Sequence, residues 1–253
     1  MRLQNKVAIV TGGGAGMGLA VSLAYAREGA RVVVAEINRA NGEAAVQAIR
    51  DAGGQAIFAQ TDVADSRQVA AMVDAAVEAF GGLDILYANA AVQLVGKDAR
   101  AHELSEEAWD STYSINIRGV WLCAKYAIPA LLERGGGSII NVASPTGLLG
   151  CAPGFTAYSS AKGAVYGLTR VMAADYARDK IRVNALIPGA TETPLTRELF
   201  ADDATRNGLI AATPLGRLGQ AEDVVGVAVF LASDESAYCT GGFFPVDGGL
   251  TAI

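Results

Sequence analysis

The sequence predicts a doubly wound α/β fold, in which one mostly parallel sheet of seven strands carries helices on both faces. Three observations predict it. Short apolar runs alternate along the chain with longer stretches of helical period. The runs are apolar at nearly every position, as in strands that are covered on both faces. Glycines follow the first run and several of the helical stretches, where a chain turns or a helix ends.

The apolar runs and the helical stretches give the expected elements in order. Strands are expected at residues 6–11, 31–37, 55–61, 84–90, 137–143, 181–188 and 241–247. Helices are expected at residues 16–29, 40–52, 66–80, 106–133, 156–178 and 220–233. Strict alternation implies right-handed crossovers and helices on both faces of the sheet. We expect a single domain over residues 1–253, with a substrate lid around residues 191–215, where the alternation breaks after a strand.

The composition restricts the class of protein. The 253 residues are 51% hydrophobic and 18% charged, with a net charge of −6, which is typical of a globular protein rather than a nucleic-acid binder. The N-terminus lacks an apolar segment long enough for a signal or a membrane span, so we expect no membrane association and a cytoplasmic location. A single histidine, His102, argues against a His-rich zinc site, and no metal is expected.

A glycine-rich segment follows the first strand candidate and opens the first helix. Its spacing is G-x-x-x-G-x-G, at Gly12, Gly16 and Gly18. Glycines let the backbone approach a pyrophosphate, and the helix N-terminus offers free N–H groups to it. A glycine-rich turn without a ligand is the alternative for this motif by itself. The candidate dinucleotide-binding residues here are Gly12, Gly14, Ala15, Gly16, Met17 and Gly18.

An acidic residue, Glu36, ends the second strand candidate. A carboxylate there accepts hydrogen bonds from the ribose hydroxyls of NAD and repels the 2′-phosphate of NADP. A solvated strand-end carboxylate is the alternative. NAD is therefore the expected cofactor, and Arg39, three residues further on, leaves NADP as the less favoured one.

A tyrosine and a lysine are spaced as neighbours on one helix face. Tyr158 and Lys162 are four residues apart at the start of a helix candidate. A nearby ammonium favours the phenolate and lowers the tyrosine pKa, so the pair suits general acid–base chemistry on an alcohol. By itself the spacing is a common accident. Ser144 closes the fifth strand candidate, where its hydroxyl can stabilise negative charge on a substrate oxygen.

These segments, together with several others in the same order, resemble the short-chain dehydrogenase/reductase family along the whole chain. The others are Asp62-Val63, Ala88-Asn89-Ala90-Ala91, Asn116, Pro188-Gly189-Ala190-Thr191-Glu192-Thr193 and Val246-Asp247-Gly248-Gly249. So many matches in order are more specific than any single motif.

The resemblance implies a Rossmann fold and four catalytic residues. Tyr158 would exchange the proton, Lys162 would bind the nicotinamide ribose and depress the tyrosine pKa, and Ser144 would orient the substrate oxygen. Asn116 would hold a water that links Lys162 to solvent. The cofactor contacts implied outside the glycine loop and Glu36 are Asp62, Val63, Asn89, Tyr158, Lys162, Pro188, Gly189, Thr191 and Thr193.

The expected activity is hydride transfer between NAD(H) and a neutral secondary alcohol or ketone. Two alternatives stay open. An NADPH-dependent 3-oxoacyl reductase of the same fold would need a positive charge near Glu36 or Ala15. A dinucleotide-sensing regulator without turnover would have no need of the full catalytic set.

The chain departs from the family pattern in three places. Gly242 follows Thr240-Gly241 at a position where a polar residue is frequent in the family. Only Asn89 and Ala90 of the family's Asn-Asn-Ala-Gly segment are kept. The interval from Ser144 to Tyr158 is one residue longer than is usual in the family, which predicts a bulged loop over residues 150–155 and an altered pocket wall.

The substrate pocket is expected to be mostly apolar, with Arg197 of the lid as its exceptional cation. Its candidate lining residues are Gln93, Leu94, Val95, Pro145, Thr146, Cys151, Phe155, Leu195 and Phe200. The expected partner is therefore a neutral small-molecule alcohol or ketone.

The resemblance also implies a homotetramer. Residues 119–132 and 164–177 are apolar beyond one helical stripe, as in helices with a second buried face. Trp121 and Tyr166 are the expected anchors of this contact, and ordinary core packing is the equal alternative for both.

Overall fold

Seven strands form one sheet in the computed structural model, which describes residues 1–252. They are β1 (Val7–Thr11), β2 (Arg31–Glu36), β3 (Gln55–Gln60), β4 (Ile85–Ala88), β5 (Gly137–Val142), β6 (Ile181–Pro188) and β7 (Phe243–Val246). Their order across the sheet is β3-β2-β1-β4-β5-β6-β7, and each neighbouring pair is parallel. The predicted fold class is confirmed, and the sheet is wholly rather than mostly parallel over these residues.

The helices cover both faces of the sheet. Those of the described chain are α1 (Gly16–Arg27), α2 (Arg39–Asp51), α3 (Ser66–Phe80), α4 (Glu106–Tyr113), α5 (Val120–Glu133), α6 (Thr156–Tyr176), α7 (Asp203–Ala212) and α8 (Val225–Ala232). Residues of α1, α2 and α8 pack into one apolar core, and residues of α3 and α5 pack into the other. Within residues 1–252, no helix combines the length and the apolar character needed to cross a bilayer.

The central strands are mostly apolar because each face of the sheet packs against a core. On β1, Val7 and Ile9 belong to the core with α3 and α5, whereas Ala8 and Val10 belong to the core with α1 and α2. The alternation follows from the two-residue period of a strand.

The order of the strands places a crevice next to β1. The chain builds β2 and β3 on one side of β1 and β4 to β7 on the other. Loops that leave β1 and β4 therefore diverge to opposite faces, and ligands of such sheets bind where they part, at the carboxyl ends of the strands.

The predicted long helix at residues 106–133 is interrupted. A π-helical turn, Ser114–Gly119, separates α4 from α5. Periodicity alone does not reveal one extra residue in a turn, and such turns are frequent at functional sites. Asn116 lies within it.

The segment expected to form a lid contains its own secondary structure. Two 3₁₀ turns, Pro194–Thr196 and Leu199–Ala201, precede α7. Asp202 caps α7 by accepting a hydrogen bond from the Thr205 N–H at 2.8 Å. The predicted helix at residues 220–233 begins as a 3₁₀ turn, Ala221–Val224, before α8.

Candidate active site

A cavity of about 570 Å³ runs along the carboxyl ends of the strands, from β3 to β6. Most of the predicted site residues line it. They are Gly12, Ala15, Gly16, Met17, Glu36, Asp62, Val63, Asn89, Ser144, Tyr158, Lys162, Pro188, Gly189, Thr191 and Thr193. Gly14, Gly18 and Asn116 are not among the lining residues, so any role they have acts through neighbours.

The glycine loop presents an open helix N-terminus to the cavity. Gly12 and Gly16 have φ angles of 61° and 52°, which side chains other than glycine rarely adopt. A Cβ on Gly18 would overlap the carbonyl oxygen of Gly12. The residue before α1, Ala15, provides no side-chain cap, so the first amides of the helix are free for an anion. These features fit the pyrophosphate of a dinucleotide.

Glu36 both lines the cavity and supports the glycine loop. It is only 8% exposed. One carboxylate oxygen accepts a hydrogen bond from the Gly14 N–H at 3.2 Å, and the other accepts one from the Asn38 N–H at 3.0 Å. Gly14 therefore serves the site through Glu36 rather than from the cavity wall.

The positive charge of Arg39 is held away from the cavity. Its guanidinium donates to Glu43 at 2.9 Å and to Gln60 at 3.1 Å. It also lies over the ring of Phe58, 5.7 Å from the centroid. Arg39 is not among the lining residues. The charged side chains that line this end of the cavity are therefore the carboxylates of Glu36 and Asp62.

Asn89 joins the loops that leave β1 and β4. Its side-chain amide donates to the carbonyl of Thr11 at 3.0 Å, and its N–H donates to the Thr11 hydroxyl at 3.0 Å. The contact fixes the floor of the crevice between the two strands.

Ser144, Tyr158 and Lys162 meet on one wall of the cavity. Tyr158 and Lys162 lie in the first two turns of α6, with the lysine Nζ 5.9 Å from the centroid of the tyrosine ring. Lys162 is 2% exposed and donates to the carbonyl of Val142 at 2.7 Å. The backbone of Ser144 is held by Tyr166, whose hydroxyl donates to the Ser144 carbonyl at 2.7 Å.

Burial shifts the pKa values of Tyr158 and Lys162 in opposite directions. Desolvation raises the pKa of Tyr158 to about 12, and a hydrogen bond to Ser144 offsets part of that rise. Desolvation also lowers the pKa of Lys162 to about 8. Burial disfavours the charged form of both groups, and for Tyr158 it outweighs the hydrogen bond to Ser144. The effect of Lys162 on the tyrosine pKa stays a prediction.

Asn116 acts on a neighbouring loop. It is fully buried. Its side chain accepts a hydrogen bond from the Val92 N–H and donates one to the Val92 carbonyl, both at 2.8 Å. It thus positions Val92, which lines the cavity. Its role in holding a water stays a prediction.

The loop after β6 closes the cavity beside the catalytic wall. Thr191 is 4% exposed and donates its hydroxyl to the Gly189 carbonyl at 3.1 Å. Thr193 exchanges hydrogen bonds with Thr196 in a capping box. A Cβ on Gly189 would lie 2.7 Å from the Cα of Asp247, which explains the glycine.

The predicted substrate pocket is largely present, with three omissions and several additions. Gln93, Pro145, Thr146, Cys151, Phe155, Leu195 and Phe200 line the cavity. Leu94, Val95 and Arg197 do not. Three further residues of this segment line the cavity, Leu199, Thr205 and Leu209. Thr205 and Leu209 belong to α7, whose helical period is hidden among polar residues, and Leu199 belongs to the short turn before it.

The predicted bulged loop at residues 150–155 lies in a segment, residues 148–155, that has no helix or strand. It contributes Cys151, Ala152 and Pro153 to the cavity wall. Of the described lining residues, only Glu36, Asp62 and Lys162 are charged, so the wall around Cys151 is uncharged.

Helix α7 is attached to the neighbouring loops through Glu192, by one ion pair and one further hydrogen bond. Arg206 of α7 donates to Glu192 at 2.9 Å, and Gln220 donates to the other oxygen of Glu192 at 2.7 Å. The hydrogen bond from Gln220 is the largest cause that holds the pKa of Glu192 below its usual value, and the bond from Arg206 adds to it.

Comparison with known proteins agrees with this geometry. A family model described as enoyl-(acyl carrier protein) reductase matches residues 12–251. The chain is 43% identical to a 2,5-dichloro-2,5-cyclohexadiene-1,4-diol dehydrogenase of Sphingobium indicum, covering 99% of both chains. It is 42% identical to a cis-4-hydroxycyclohexanecarboxylate dehydrogenase of Sinomonas cyclohexanicum, covering 98% of this chain and 97% of the relative.

A solved structure is similar over almost its whole length. It is a proposed NAD(P)-dependent gluconate 5-dehydrogenase of Beutenbergia cavernae, with NADP bound at low occupancy. The TM-score is 0.93 at 36% identity, and the match covers 99% of this chain and 98% of the other. With the open glycine loop and the seven-stranded parallel sheet, these matches show that the chain belongs to the short-chain dehydrogenase/reductase family, oxidoreductases whose fold binds a nicotinamide dinucleotide.

Proposed function

We propose that this protein transfers a hydride between NAD(H) and a neutral, cyclic secondary alcohol or the matching ketone. The observation that carries the proposal is the common wall formed by Ser144, Tyr158 and Lys162. That wall belongs to a cavity whose other end presents Glu36 and the open N-terminus of α1.

The proton chemistry belongs to Tyr158. In oxidation its phenolate takes the hydroxyl proton of the alcohol, while the carbinol hydride leaves for the cofactor. In reduction its phenol gives the proton to the carbonyl oxygen. Ser144 donates a hydrogen bond to the same substrate oxygen and stabilises its developing charge. The dinucleotide, when bound, supplies the hydride acceptor or donor.

Lys162 serves two neighbours. Its ammonium lies beside the Tyr158 ring, where a positive charge favours the phenolate, and it is placed to bond the nicotinamide ribose. Thr191 and Thr193 are proposed to bind the carboxamide, with Pro188 and Gly189 beside them. Asp62, Val63 and Asn89 are proposed to hold the adenosine.

NAD is preferred in this proposal because of charge. Glu36 is anionic at the end of β2, and the guanidinium of Arg39 is engaged by Glu43 and Gln60. A 2′-phosphate would meet repulsion there without a free cation to offset it.

The substrate class follows from the cavity wall. The residues beyond the catalytic wall, including Pro153, Leu199 and Leu209, are mostly apolar. Both relatives named above carry names of dehydrogenases for alcohols on six-membered rings. A neutral ring alcohol matches such a wall, whereas a carboxylate would find no cation except Lys162 among the described lining residues.

The test measures NADH and NADPH absorbance with purified protein and a panel of alcohols, in both directions. The panel holds cyclohexanol, cyclohexane-1,4-diol and 4-hydroxycyclohexanecarboxylate, with a 3-oxoacyl thioester for the reductive direction. We expect NADH formation from the neutral ring alcohols, with kcat/KM for the carboxylate lower by about tenfold or more, as for an unpaired charge. Activity confined to NADPH and the thioester would overturn the proposal.

The matched variant is Tyr158→Phe, which keeps the ring and removes the hydroxyl. We expect turnover to fall by about a thousandfold, within the usual effect of a general acid–base, while NADH binding is retained. Full turnover by this variant would contradict the mechanism.

A further inference from the structure

The first turn of α6, which carries Tyr158, is not capped by the residue that precedes it. The first amides of a helix have no partner within the helix, and a Ser, Thr, Asp or Asn at the N-cap usually accepts from them. Here the N-cap is Phe155, which provides no side-chain hydrogen bond. Phe155 lines the cavity instead.

The cap comes from Asp98, far away in the sequence. One carboxylate oxygen accepts a hydrogen bond from the Tyr158 N–H at 2.9 Å. The other accepts from the Ala157 N–H at 3.0 Å and from the Ala99 N–H at 3.0 Å. Among the described residues Asp98 takes part in no ion pair. Its charge is therefore directed at the amides and at the positive end of the α6 dipole.

We propose that Asp98 is the positioning residue for Tyr158. By bonding the N–H of the tyrosine itself, it holds the first turn of α6 so that the phenol stays in line with Ser144 and Lys162. The inference rests on the function proposed above, since it assigns a part in that reaction.

Asp98 also connects Tyr158 to a loop that lines the same cavity. It belongs to a loop, residues 91–99, whose start is fixed by the two hydrogen bonds between Val92 and Asn116. Gln93, between these two attachments, lines the cavity. The loop is tightened before Asp98, whose N–H donates to the Leu94 carbonyl at 2.8 Å. One carboxylate thus sets the spacing between the acid–base group and a substrate-side loop.

The consequence is a selective effect on the chemical step. A displacement of a reacting group by about 1 Å costs on the order of a hundredfold in rate. The glycine loop and Glu36 follow β1 and β2, not this loop, so these two cofactor contacts do not depend on Asp98. Loss of the cap is therefore expected to lower kcat much more than it weakens the affinity for NADH.

The experiment compares three variants with the wild-type protein. Asp98→Ala removes both acceptors, and Asp98→Asn keeps the shape and one acceptor oxygen. Ser105→Ala is the matched control, because Ser105 caps α4 by accepting from the Ala108 N–H at 3.2 Å and touches no part of the cavity wall. Each is measured for kcat and KM with cyclohexanol, the isotope effect with deuterated alcohol, the Kd for NADH, and hydrogen–deuterium exchange of residues 155–165.

We expect kcat to fall about tenfold or more in Asp98→Ala and less in Asp98→Asn. The isotope effect should rise and the Kd for NADH should stay within about twofold. Exchange at the start of α6 should increase in both Asp98 variants. Ser105→Ala should keep kcat while it loses about 1 kcal/mol of stability.

Unchanged kcat and isotope effect in a folded Asp98 variant would overturn the inference, even if exchange increases, because Asp98 would then be a structural cap only. If Asp98→Ala does not fold, Asp98→Asn decides in the same way. Wild-type protein that binds NADH and turns over no alcohol would contradict the proposed function. If the wild-type protein is inactive on alcohols, the hydrogen–deuterium exchange of residues 155–165 tests the positioning role separately. Unchanged exchange in the Asp98 variants would then overturn that role as well.

Discussion

Tyr158 and Lys162 carry the strongest electrostatic effects on the catalytic wall. Burial brings their pKa values to about 12 and about 8, because removal from water disfavours phenolate and ammonium alike. At neutral pH the phenol therefore keeps its proton and the lysine is mostly charged. The Tyr158 phenol can therefore donate its proton to a ketone directly. It must first lose that proton to solvent before it can accept one from an alcohol.

This order of pKa values predicts opposite pH dependences for the two directions. Alcohol oxidation requires phenolate, so its kcat/KM should rise with pH above neutrality, by up to about tenfold per pH unit while phenolate is the minor form. Ketone reduction requires the phenol and should not rise. Initial rates in both directions across this range test it, and an oxidation rate that falls with rising pH would contradict it.

Lys162 should also make stability depend on pH. Its folded pKa, about 8, lies below its ordinary value of 10.5, so between these values the unfolded chain binds more protons. The contribution of Lys162 to the free energy of unfolding therefore rises by about 3 kcal/mol in all as the pH rises across this window. This contribution is lost again as the pH falls through 8.

The measurement is urea unfolding of the wild-type protein and Lys162→Met at about pH 7.5 and about pH 10. The wild-type protein should gain stability relative to the variant at the higher pH. Lys97→Met, which removes an exposed lysine, is the control. An equal difference at both pH values would refute the burial penalty.

At the scale of elements, the segment from Thr191 to Leu215 is proposed to act as a lid. Its helix α7 contributes Thr205 and Leu209 to the cavity, and an ion pair between Arg206 and Glu192 attaches it to the loop after β6. Both side chains are partly exposed, so the pair is worth only about 1 kcal/mol or less. Such a weak attachment suits a helix that must open.

Arg206→Ala should therefore raise the KM for cyclohexanol by a few-fold, as expected for the loss of about 1 kcal/mol, and leave the Kd for NADH unchanged. The control is Arg197→Ala in the same segment, since Arg197 is exposed and does not line the cavity. Steady-state kinetics of both variants give the comparison. An unchanged KM in Arg206→Ala would show that the ion pair does not hold the pocket closed.

At the scale of the whole molecule, large apolar side chains remain exposed on the outer helices. Trp121 of α5 is 44% exposed and Val171 of α6 is 53% exposed. Tyr166, the other predicted anchor, is buried and packs against Phe243 at 4.7 Å between ring centroids. Of the two expectations for Tyr166, the structure therefore favours core packing over an interface role, since its hydroxyl also supports the backbone of Ser144 from inside.

We propose that α5 and α6 form a contact between copies of the chain in a homotetramer. Light scattering after size exclusion should give about four times the chain mass of 26.0 kDa. The double variant Trp121→Glu, Val171→Asp should give a smaller species, because buried charges without partners are costly. Val77→Glu on α3, also exposed, should keep the wild-type mass. A monomeric wild-type protein would rule out the tetramer.

The sequence by itself determined the features that depend on local repeats. The alternation of apolar runs and helical stretches predicted the sheet and most of its helices, because strand and helix periods require only near neighbours. The same holds for the glycine loop and for Tyr158 and Lys162, whose spacing on a helix face is set by four residues of chain.

The tertiary structure alone decided which distant groups meet. The cap of Tyr158 by Asp98, the hold of Asn116 on Val92, and the inward position of Tyr166 join residues from different loops and helices. The opposed pKa values of Tyr158 and Lys162 arise in the same way, because burial is a property of the packed fold. The periodicity of the sequence does not predict such contacts. Buried polar groups need hydrogen-bond partners, and only the tertiary fold decides which distant residue provides them.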